Sequence, residues 1–310
     1  MDVVSVVLVT WNSAPYLRRC LDGIARQTHS TVELIAVDNA SHDDSASIVE
    51  RAGFRVIRNE TNRGFSAAVN QAIAIARGSF VLLVNPDCFL EPEYISRVLT
   101  AFVDERVGSA TGKLMRAKGF DIEPTNEIDS MGIRMTRTGR HFDIQVPTAR
   151  EIFGVSGAAA MFRRSFLRDV AIDGEIFDED FFAYREDADL AWRGQLFGWL
   201  SLCVPDAIGY HVRRVTPEAR GQLSAEINKH SVKNRFLLRW KNEGAYLALR
   251  NAPFELARDL VVFIAALTIE RSSLSAFTWL WKNRGRVLAK RREIQSRRRV
   301  SDRALARWFR

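Results

Sequence analysis

Two acidic sites about a hundred residues apart are the part of this sequence best suited to chemistry. Glu186 and Asp187 stand side by side at the start of a helical pattern. Like charges so close tend to raise the pKa of one of them, which suits a general base. Asp87 follows an apolar run, and a carboxylate there could share a metal with substrate phosphates. The two sites together suit an enzyme that holds a metal-bound diphosphate and deprotonates a hydroxyl group.

Each acidic signal also has a simpler interpretation. Neighbours on a helix diverge by about 100°, so only one of Glu186 and Asp187 can face a substrate while the other orients it or anchors the loop. Asn-Pro-Asp after a strand, as at 85–87, is also a common turn sequence. His211 could give nitrogen to the same metal as Asp87, but a lone histidine is more often structural, and both alternatives stay open.

The elements that must position these residues alternate between strands and helices. Apolar runs predict strands at 3–9, 32–37, 54–57 and 80–84, with helical patterns between them. This rhythm predicts an α/β fold with a mostly parallel, doubly wound sheet and helices on both faces. Polar residues gather where the strands end, which is the edge at which open sheets of this kind bind ligands.

Asp38 is the polar residue best placed to accept hydrogen bonds from a nucleoside base or ribose. Asn12 and the backbone of Thr10 lie on the adjacent strand edge. The simpler interpretation of Asp38 is a turn or helix cap. Neither G-x-G-x-x-G nor a P-loop of the usual spacing occurs, so the sheet must hold its ligand by other means. Ser41, three residues before Asp44, predicts a helix N-cap.

The pattern loosens after residue 108. A fifth strand is predicted at 108–113, a hairpin or mobile loop at 123–144, and a helix at about 182–197. Asp189 and Arg193 are four residues apart on that helix, which predicts a structural ion pair. A last strand at 200–204 is expected to end before Pro205. Beyond Thr216 the pattern is almost entirely helical.

The charge is divided unevenly along the chain. Residues 231–310 contain 19 Lys and Arg against 6 Asp and Glu, whereas the first 230 residues contain 26 against 31. A basic tail on an acidic body predicts an anionic partner, either membrane or nucleic acid, although a solvated helix would look the same. The apolar run at 260–269 is far shorter than the ~20 residues that cross a bilayer.

Aromatic residues among the arginines of the tail favour the membrane alternative. Trp279, Trp281, Trp308 and Phe309 suit helices that lie on an anionic leaflet. The other interpretation is that these helices pack on the catalytic part or on a second subunit. The three cysteines are scattered and odd in number, which indicates buried or incidental thiols in a reducing compartment. No secretory signal is recognisable, so we expect a cytoplasmic protein.

Taken together, the motifs resemble bacterial inverting glycosyltransferases of family 2, and more narrowly their rhamnosyltransferase-like subgroup. The pieces that carry the resemblance follow the family's order over about the first 215 residues. They are 9–12 (Val-Thr-Trp-Asn), 37–39 (Val-Asp-Asn), 62–70 (Asn-Arg-Gly-Phe-Ser-Ala-Ala-Val-Asn), 85–87 (Asn-Pro-Asp), 156–160 (Ser-Gly-Ala-Ala-Ala) and 177–193. The tail segments 233–235 (Lys-Asn-Arg) and 241–243 (Lys-Asn-Glu) are also similar to the subgroup.

The resemblance implies a GT-A fold followed by a helical C-terminal region, a nucleotide-diphosphate sugar donor, and Mg²⁺ or Mn²⁺. It implies a donor site that comprises Thr10, Asn12, Asp38, Asn39, Gly64, Phe65, Asn70 and Asn85. The acceptor side would comprise Gly157, Ala158 and Arg193. Asp87, with His211, would hold the metal, and Asp187 would be the general base supported by Glu186. Asn85 stands where the family usually has an acid, which makes metal dependence an open question.

The same resemblance implies a role in cell-envelope glycan synthesis. The first expectation is transfer of L-rhamnose from dTDP-rhamnose to a lipid-linked or polysaccharide acceptor. UDP-galactofuranose, UDP-glucose and UDP-N-acetylglucosamine are the alternative donors. We expect a catalytic domain at 1–215, with the nucleotide-sugar side at 1–110 and the acceptor side at 111–215, and a basic amphipathic region at 216–310.

We expect peripheral attachment to the inner face of the cell membrane through the C-terminal helices, and a homodimer remains open. Two functions from other classes compete with transfer. One is nucleic-acid binding through the basic tail, which we do not expect because no RNA-binding motif is recognisable. The other is a non-catalytic sensor of sugar nucleotides, against which the acidic residues at 87, 186 and 187 argue.

Overall fold

The first half of the sheet forms from apolar strands that are covered on both faces. The computed structural model of the chain describes residues 2–148, 150–213 and 225–310. The first four strands are parallel neighbours in the order β3-β2-β1-β4, namely β1 (Val4–Thr10), β2 (Val32–Asp38), β3 (Arg55–Arg58) and β4 (Phe80–Val84). The helices between them are α1 (Ala14–Ala25), α2 (Ser45–Arg51) and α3 (Phe65–Ile75). Every residue of β1 and β4 is buried, as expected of strands with helices on both faces.

The chain reverses across the sheet after β3, because β4 adds on the other side of β1. The carboxyl ends of β1 and β4 therefore flank the point where ligands bind in open α/β sheets. The strands of the second half are β5 (Cys88–Leu90), β6 (Val107–Lys118), β7 (Glu123–Ser130), β8 (Ile133–Met135), β9 (His141–Asp143), β10 (Glu151–Ile152), β11 (Ala159–Arg163) and β12 (Leu200–His211).

One antiparallel strand joins the two halves of the sheet. Strand β11 runs antiparallel between β4 and β6, and β12 lies parallel to β6. The order along the sheet is β10-β12-β6-β11-β4-β1-β2-β3, with β8 and β9 in a separate ribbon. The helices of this half are α4 (Tyr94–Leu99), α5 (Arg164–Val170) and α6 (Glu186–Leu196). The predicted mostly parallel α/β architecture is confirmed.

The C-terminal region is helical and packs on the sheet domain. Its helices are α7 (Ala225–Asn242), α8 (Ala245–Thr268), α9 (Leu274–Arg297) and the short α10 (Asp302–Leu305). The expected helical start beyond Thr216, and the expected boundary at 215, lie outside the described residues. None of the described helices is alone long and apolar enough to span a membrane. Helices α8 and α9, bent by 115° at the break between them, meet that criterion only as a pair.

The aromatic residues of the tail differ from the expectation of a surface group. Phe309 is buried, with its ring 4.9 Å from that of Trp192, and Trp308 donates a hydrogen bond to Gln195 at 3.0 Å. Trp279 is partly buried, whereas Trp281 is 68% exposed. Placing Trp308 and Phe309 on a membrane was therefore wrong, because both pack against α6.

Two local predictions need correction, whereas the hairpin predicted within 123–144 is found. Strand β12 continues through Pro205 to His211, because a register shift between Val204 and Ile208 lets the proline sit in an irregular stretch. The polar stretch after residue 123 contains β7, followed by β8 and β9, which pair antiparallel. Asp44 rather than Ser41 precedes α2, and the Ser41 hydroxyl accepts from the backbone N–H of Asn12.

Candidate active site

The ends of β1 and β2 hold the residues expected to bind a nucleoside. The Thr10 hydroxyl donates to Asp38 Oδ1 at 2.8 Å, and the backbone N–H of Ser41 donates to Asp38 Oδ2 at 3.1 Å. Asn12 Oδ1 accepts from the backbone N–H of His42 at 2.8 Å. Asp38 thus caps its turn, which was the simpler interpretation. These bonds fix Thr10, Asn12 and Asp38 together at the carboxyl edge of the sheet.

Asn39 is buried and supports the neighbouring loop. Its Nδ2 donates to Asn62 Oδ1 at 2.8 Å and to the carbonyl of Gly64 at 3.2 Å. Its Oδ1 accepts from Asn59 Nδ2 and from the backbone N–H of Arg63, both at 3.0 Å. Because both ends of the amide are engaged, Asn39 shapes the loop ahead of α3.

Gly64, Phe65 and Asn70 connect this edge to the segment before α6. Gly64 has a φ of +85°, and a Cβ there would lie 2.5 Å from the Phe182 ring, so glycine is required. Phe65 begins α3 and is partly buried against the core. Asn70 exchanges hydrogen bonds with the backbone of Phe177, at 2.8 and 2.9 Å. Asn70 therefore joins two segments of the protein.

Gly157 and Ala158 connect the two acidic sites. The backbone N–H of Gly157 donates to Asp187 Oδ2 at 3.3 Å, and the carbonyl of Ala158 accepts from the backbone N–H of Asn85 at 2.9 Å. Strand β11 starts at the edge where β4 ends because the two are antiparallel, so these residues arrive beside 85–87. Adjacent Cα atoms are about 3.8 Å apart, so these two bonds bring Asp187 and the turn at 85–87 to the same edge of the sheet.

Glu186 and Asp187 differ in how their negative charge is stabilised. Asp187 is partly exposed and accepts backbone hydrogen bonds from Gly157 and, at 2.7 Å, from Ala188. Glu186 is buried, and its Oε2 has no hydrogen-bond partner among the described residues. Burial, followed by the charge of Asp187, raises the pKa of Glu186. Burial also raises the pKa of Asp187, while the two backbone donors oppose the rise. The negative charge is therefore better placed on Asp187 and the proton on Glu186.

The residues just before this pair have an unusual backbone. Phe182, Tyr184 and Arg185 have φ values of 66°, 70° and 72°, although none is glycine. Such conformations cost about 1–3 kcal/mol each and persist only where the surroundings enforce them. We call residues 175–189 the acid loop, because this segment is rich in carboxylates; it ends in the first turn of α6. Its shape must be maintained by contacts with other segments.

Asp87 and His211 form a pair of metal-ligand type. Asp87 Oδ1 lies 3.5 Å from His211 Nε2, and His211 Nδ1 lies 2.8 Å from Asp129 Oδ2. Arg213 donates to Asp129 from Nε at 2.9 Å. Burial opposes protonation of His211, but the hydrogen bonds to Asp129 and Asp87 outweigh it and raise the pKa to about 9. Burial likewise opposes ionisation of Asp129, yet bonds from His211 and Arg213 hold its pKa well below the usual range.

The donor set fits Mn²⁺ or Mg²⁺ shared with phosphates. Ligand atoms on adjacent corners of an octahedron lie about 3 Å apart, close to the separation of the Asp87 and His211 atoms. Asp129 would orient the imidazole from behind, as carboxylates do at many metal sites. Among the described residues no group of three His, Cys, Asp or Glu could hold a metal, so other ligands of an ion here would have to come from water or substrate phosphates. The Asn85 side chain makes no hydrogen bond to any of the described residues.

Arg193 requires a correction. It was expected on the acceptor side, but it is fully buried and pairs with Asp189 at 2.8 Å, which confirms the predicted ion pair. Its guanidinium also donates to the carbonyl of Ile176 at 2.9 Å. These contacts lie inside the protein. Arg193 therefore supports the acid loop and does not reach an acceptor.

Sequence reasoning missed the C-terminal residues that hold the acid loop. Lys241 pairs with Asp178 and, at 2.9 Å, with Asp189. Lys290 lies 2.6 Å from Asp178 and 3.2 Å from Asp180. Both lysines are almost fully buried. The resemblance of 233–235 and 241–243 to the subgroup was the available signal. The sequence has no comparable signal for Asp129, which lies in the stretch where we predict a hairpin or mobile loop.

Comparison with known proteins shows the family to which the sequence is similar. The sequence model described as Glycosyl transferase family 2 matches residues 5–171. The N-acetylglucosaminyl-diphospho-decaprenol L-rhamnosyltransferase of Mycobacterium tuberculosis is 28% identical over 288 residues, which cover 81% of this chain and 92% of that protein. The putative glycosyltransferase EpsH of Bacillus subtilis is 35% identical over 107 residues, or 33% of this chain and 31% of that protein.

Solved structures are similar over most of the chain. The mannosyltransferase PcManGT from Pyrobaculum calidifontis, in complex with GDP-Man and Mn²⁺, has a TM-score of 0.57 at 20% identity. The match covers 96% of this chain and 84% of that one. S. aureus TarS 1–349 in complex with UDP-GlcNAc also has a TM-score of 0.57 at 20% identity, with coverage of 88% and 79%. At such identities the similarity shows the fold alone.

Proposed function

Because the chain belongs to glycosyl transferase family 2 and has its GT-A fold, we propose that it transfers a sugar, with inversion, from a nucleotide diphosphate to a hydroxyl group of a lipid-linked glycan. The observation that carries the proposal is the link through Gly157 and Ala158. It places the carboxylate of Asp187 and the turn of Asp87 at one edge of the sheet. A base and a diphosphate site so arranged suit a single displacement.

Three residues of the protein have separate roles in this displacement. Asp187, ionised and partly exposed, accepts the proton of the acceptor hydroxyl group while the hydroxyl oxygen attacks the anomeric carbon. Glu186, protonated and buried behind it, keeps a second negative charge away from the reacting oxygen. Gly157 fixes one oxygen of the base through its backbone N–H. No covalent intermediate on the enzyme is needed, so the configuration inverts.

The diphosphate leaves from the other side of the site. Asp87 and His211 would hold a divalent metal there, and Asp129 would hold His211 in the required orientation. The metal, when bound, stabilises negative charge that grows on the leaving diphosphate. Thr10, Asn12 and Asp38 would bind the nucleoside at the edge that their hydrogen bonds fix, and Asn85 would face the donor.

The relatives favour rhamnose as the sugar. The mycobacterial protein similar over 81% of the chain is named an L-rhamnosyltransferase that acts on N-acetylglucosaminyl-diphospho-decaprenol. We therefore infer dTDP-rhamnose as the first donor to test and a polyprenyl-diphosphate glycan as the acceptor. UDP-galactofuranose, UDP-glucose and UDP-N-acetylglucosamine are the other donors to include.

An exposed apolar face on α8 supports attachment to a membrane that carries such an acceptor. Leu256, Leu260, Ile264 and Leu267 recur at helical spacing and are 68%, 59%, 49% and 45% exposed. Trp281 on α9 is also exposed. Apolar side chains on a basic region suit a helix that lies in the headgroup layer of an anionic leaflet. A second copy of the chain could cover the same face.

Release of the nucleotide diphosphate tests the transferase function. Each sugar nucleotide is supplied with Mn²⁺, with and without a polyprenyl-diphosphate acceptor, and the expected result is release that requires the acceptor. The Asp187→Asn variant should lose about 10²–10⁴-fold in turnover, the usual contribution of a general base. Its affinity for the donor should stay near that of the wild type. Donor binding without release at any acceptor concentration would instead favour the sensor.

Vesicles test the attachment. The protein should sediment with vesicles that contain anionic lipid and less with neutral ones, and Leu260→Glu with Ile264→Glu should abolish sedimentation. The matched control changes Lys282, an exposed lysine of α9, to glutamate. Equal recovery of wild type and double variant would contradict the proposal. A halved mass of the double variant in light scattering would assign the face to a dimer.

A further inference from the structure

We propose that Asn234, on helix α7, is a positioning residue that holds the acid loop in the shape that aims Asp187 at the acceptor hydroxyl group. The inference rests on the proposed transferase function and deepens it. It gives a role in the reaction to a helix that lies beyond residues 5–171, the part matched by the family. Three observations carry it: the hydrogen bonds of Asn234, the backbone of the loop, and the contacts around Phe182.

Asn234 donates to three carbonyl groups of the acid loop. Its Nδ2 lies 2.9 Å from the carbonyl oxygen of Phe181 and 2.8 Å from those of Ala183 and Tyr184. The side chain is fully buried. An amide nitrogen has two hydrogens, so one is shared between two carbonyls. The reverse orientation would aim Oδ1 at three carbonyl oxygens, and their repulsion excludes it.

The three carbonyls converge only because the loop turns sharply between them. Phe182 has φ 66° and ψ −66°, and the N–H of Ala183 donates to the carbonyl of Phe181 at 2.8 Å. These values describe a γ-turn of the rare, positive-φ type. Tyr184 and Arg185 continue with positive φ, and Arg185 leads directly into Glu186. A loop without its central donor would relax toward ordinary angles and rotate the first turn of α6.

Other contacts of α7 hold the loop from the same side. The His230 ring stacks on Phe182, with centroids 4.7 Å apart and planes 13° apart. Lys233 Nζ donates to the carbonyl of Asp180. Phe182 also lies against Gly64. Among these residues of α7, the Asn234 side chain is the one that donates only to carbonyl groups of the acid loop. Its replacement should therefore disturb the loop with the least direct effect on the donor edge.

Asn234→Ala removes the donor, and Asn234→Asp keeps the size but turns acceptor oxygens toward the carbonyls. The control is Asn251→Ala, because Asn251 lies on α8 and is equally buried. Among the described residues, its side chain makes no hydrogen bond to the acid loop. We expect both Asn234 variants to lose about 10–100-fold in kcat, the cost of a misplaced base. The Kd for the nucleotide diphosphate, measured by calorimetry, should be unchanged, and the control should keep its kcat.

Amide hydrogen exchange gives a readout that does not depend on turnover. Residues 181–189 should exchange faster in Asn234→Ala than in the wild type and in the control, while α1 should be unaffected. Unchanged exchange there would overturn the proposal, as would a kcat equal to that of Asn251→Ala. A wild type that transfers no sugar would end the proposed function, whereas the exchange result would still decide whether Asn234 holds the loop.

Discussion

Replacement of Lys290 by methionine tests whether the C-terminal helices hold the acid loop. The Lys290 ammonium lies 3.0 Å from Glu175, 2.6 Å from Asp178 and 3.2 Å from Asp180, and the side chain is 2% exposed. Methionine retains much of the apolar stem but leaves these carboxylates without one of their cations. Lys241 still faces Asp178, so the loss is partial for that carboxylate.

The magnitude follows from the burial of the cluster. Removal of one partner from a buried ion pair costs about 3–5 kcal/mol, because the remaining charge is left uncompensated. At about 2.1 cal/mol/K per residue, a chain of 310 residues has an unfolding entropy of about 0.65 kcal/mol/K. The free energy lost therefore corresponds to a fall in Tm of about 5–8 °C.

Differential scanning calorimetry at neutral pH measures this fall. Lys282→Met is the matched control, since Lys282 is exposed on the same helix, and its Tm should change by less than about 1 °C. A Tm for Lys290→Met equal to that of the control would refute the reasoning. It would mean that water or rearranged side chains compensate the carboxylates of the acid loop.

Three further variants test the site itself. Asp129→Asn should weaken Mn²⁺ binding, measured by calorimetry with nucleotide diphosphate present, about 10–100-fold because His211 loses its orienting carboxylate; unchanged affinity would exclude that role. Glu186 has a raised pKa, so the folded protein binds more protons than the unfolded one, and stability falls as pH rises. Glu186→Gln should therefore gain in Tm over the wild type between about pH 5 and pH 8, and a constant difference would contradict this sign. Gly157→Ala places a methyl group 4.0 Å from Asp187 Oδ2, so we expect normal folding and donor binding but a raised KM for the acceptor; an unchanged KM would place the acceptor elsewhere.

The sequence predicts the donor half of the fold well because its signals are local. Strand β4 has the predicted bounds, Phe80–Val84, β1 begins and ends one residue later than predicted, and β2 ends one residue later. The alternation of apolar runs with helical patterns is enough to place these elements. Asp87 lies at the carboxyl edge of the parallel strands, as the rule for open sheets requires. Asp187 reaches the same edge through Gly157, which precedes the antiparallel strand β11.

The parts that could not be predicted depend on contacts between distant residues. Asn234 lies about fifty residues from the carbonyls that it binds, and Lys290 more than a hundred from its carboxylates. A lysine in a basic tail has the same composition signal whether it faces solvent or a buried acid. The wrong expectation for Arg193 has the same origin, because helical spacing shows which residues share a face and not what covers that face.

The burial of the tail lysines under the acid loop bears on how this enzyme can be divided. A fragment that ends before α7 would lack Lys241 and Lys290, the buried cations that pair with Asp178, Asp180 and Asp189. We expect mutual repulsion to keep such a fragment from folding. Exchange of the tail between relatives would therefore require the matching carboxylates of the acid loop to be exchanged as well.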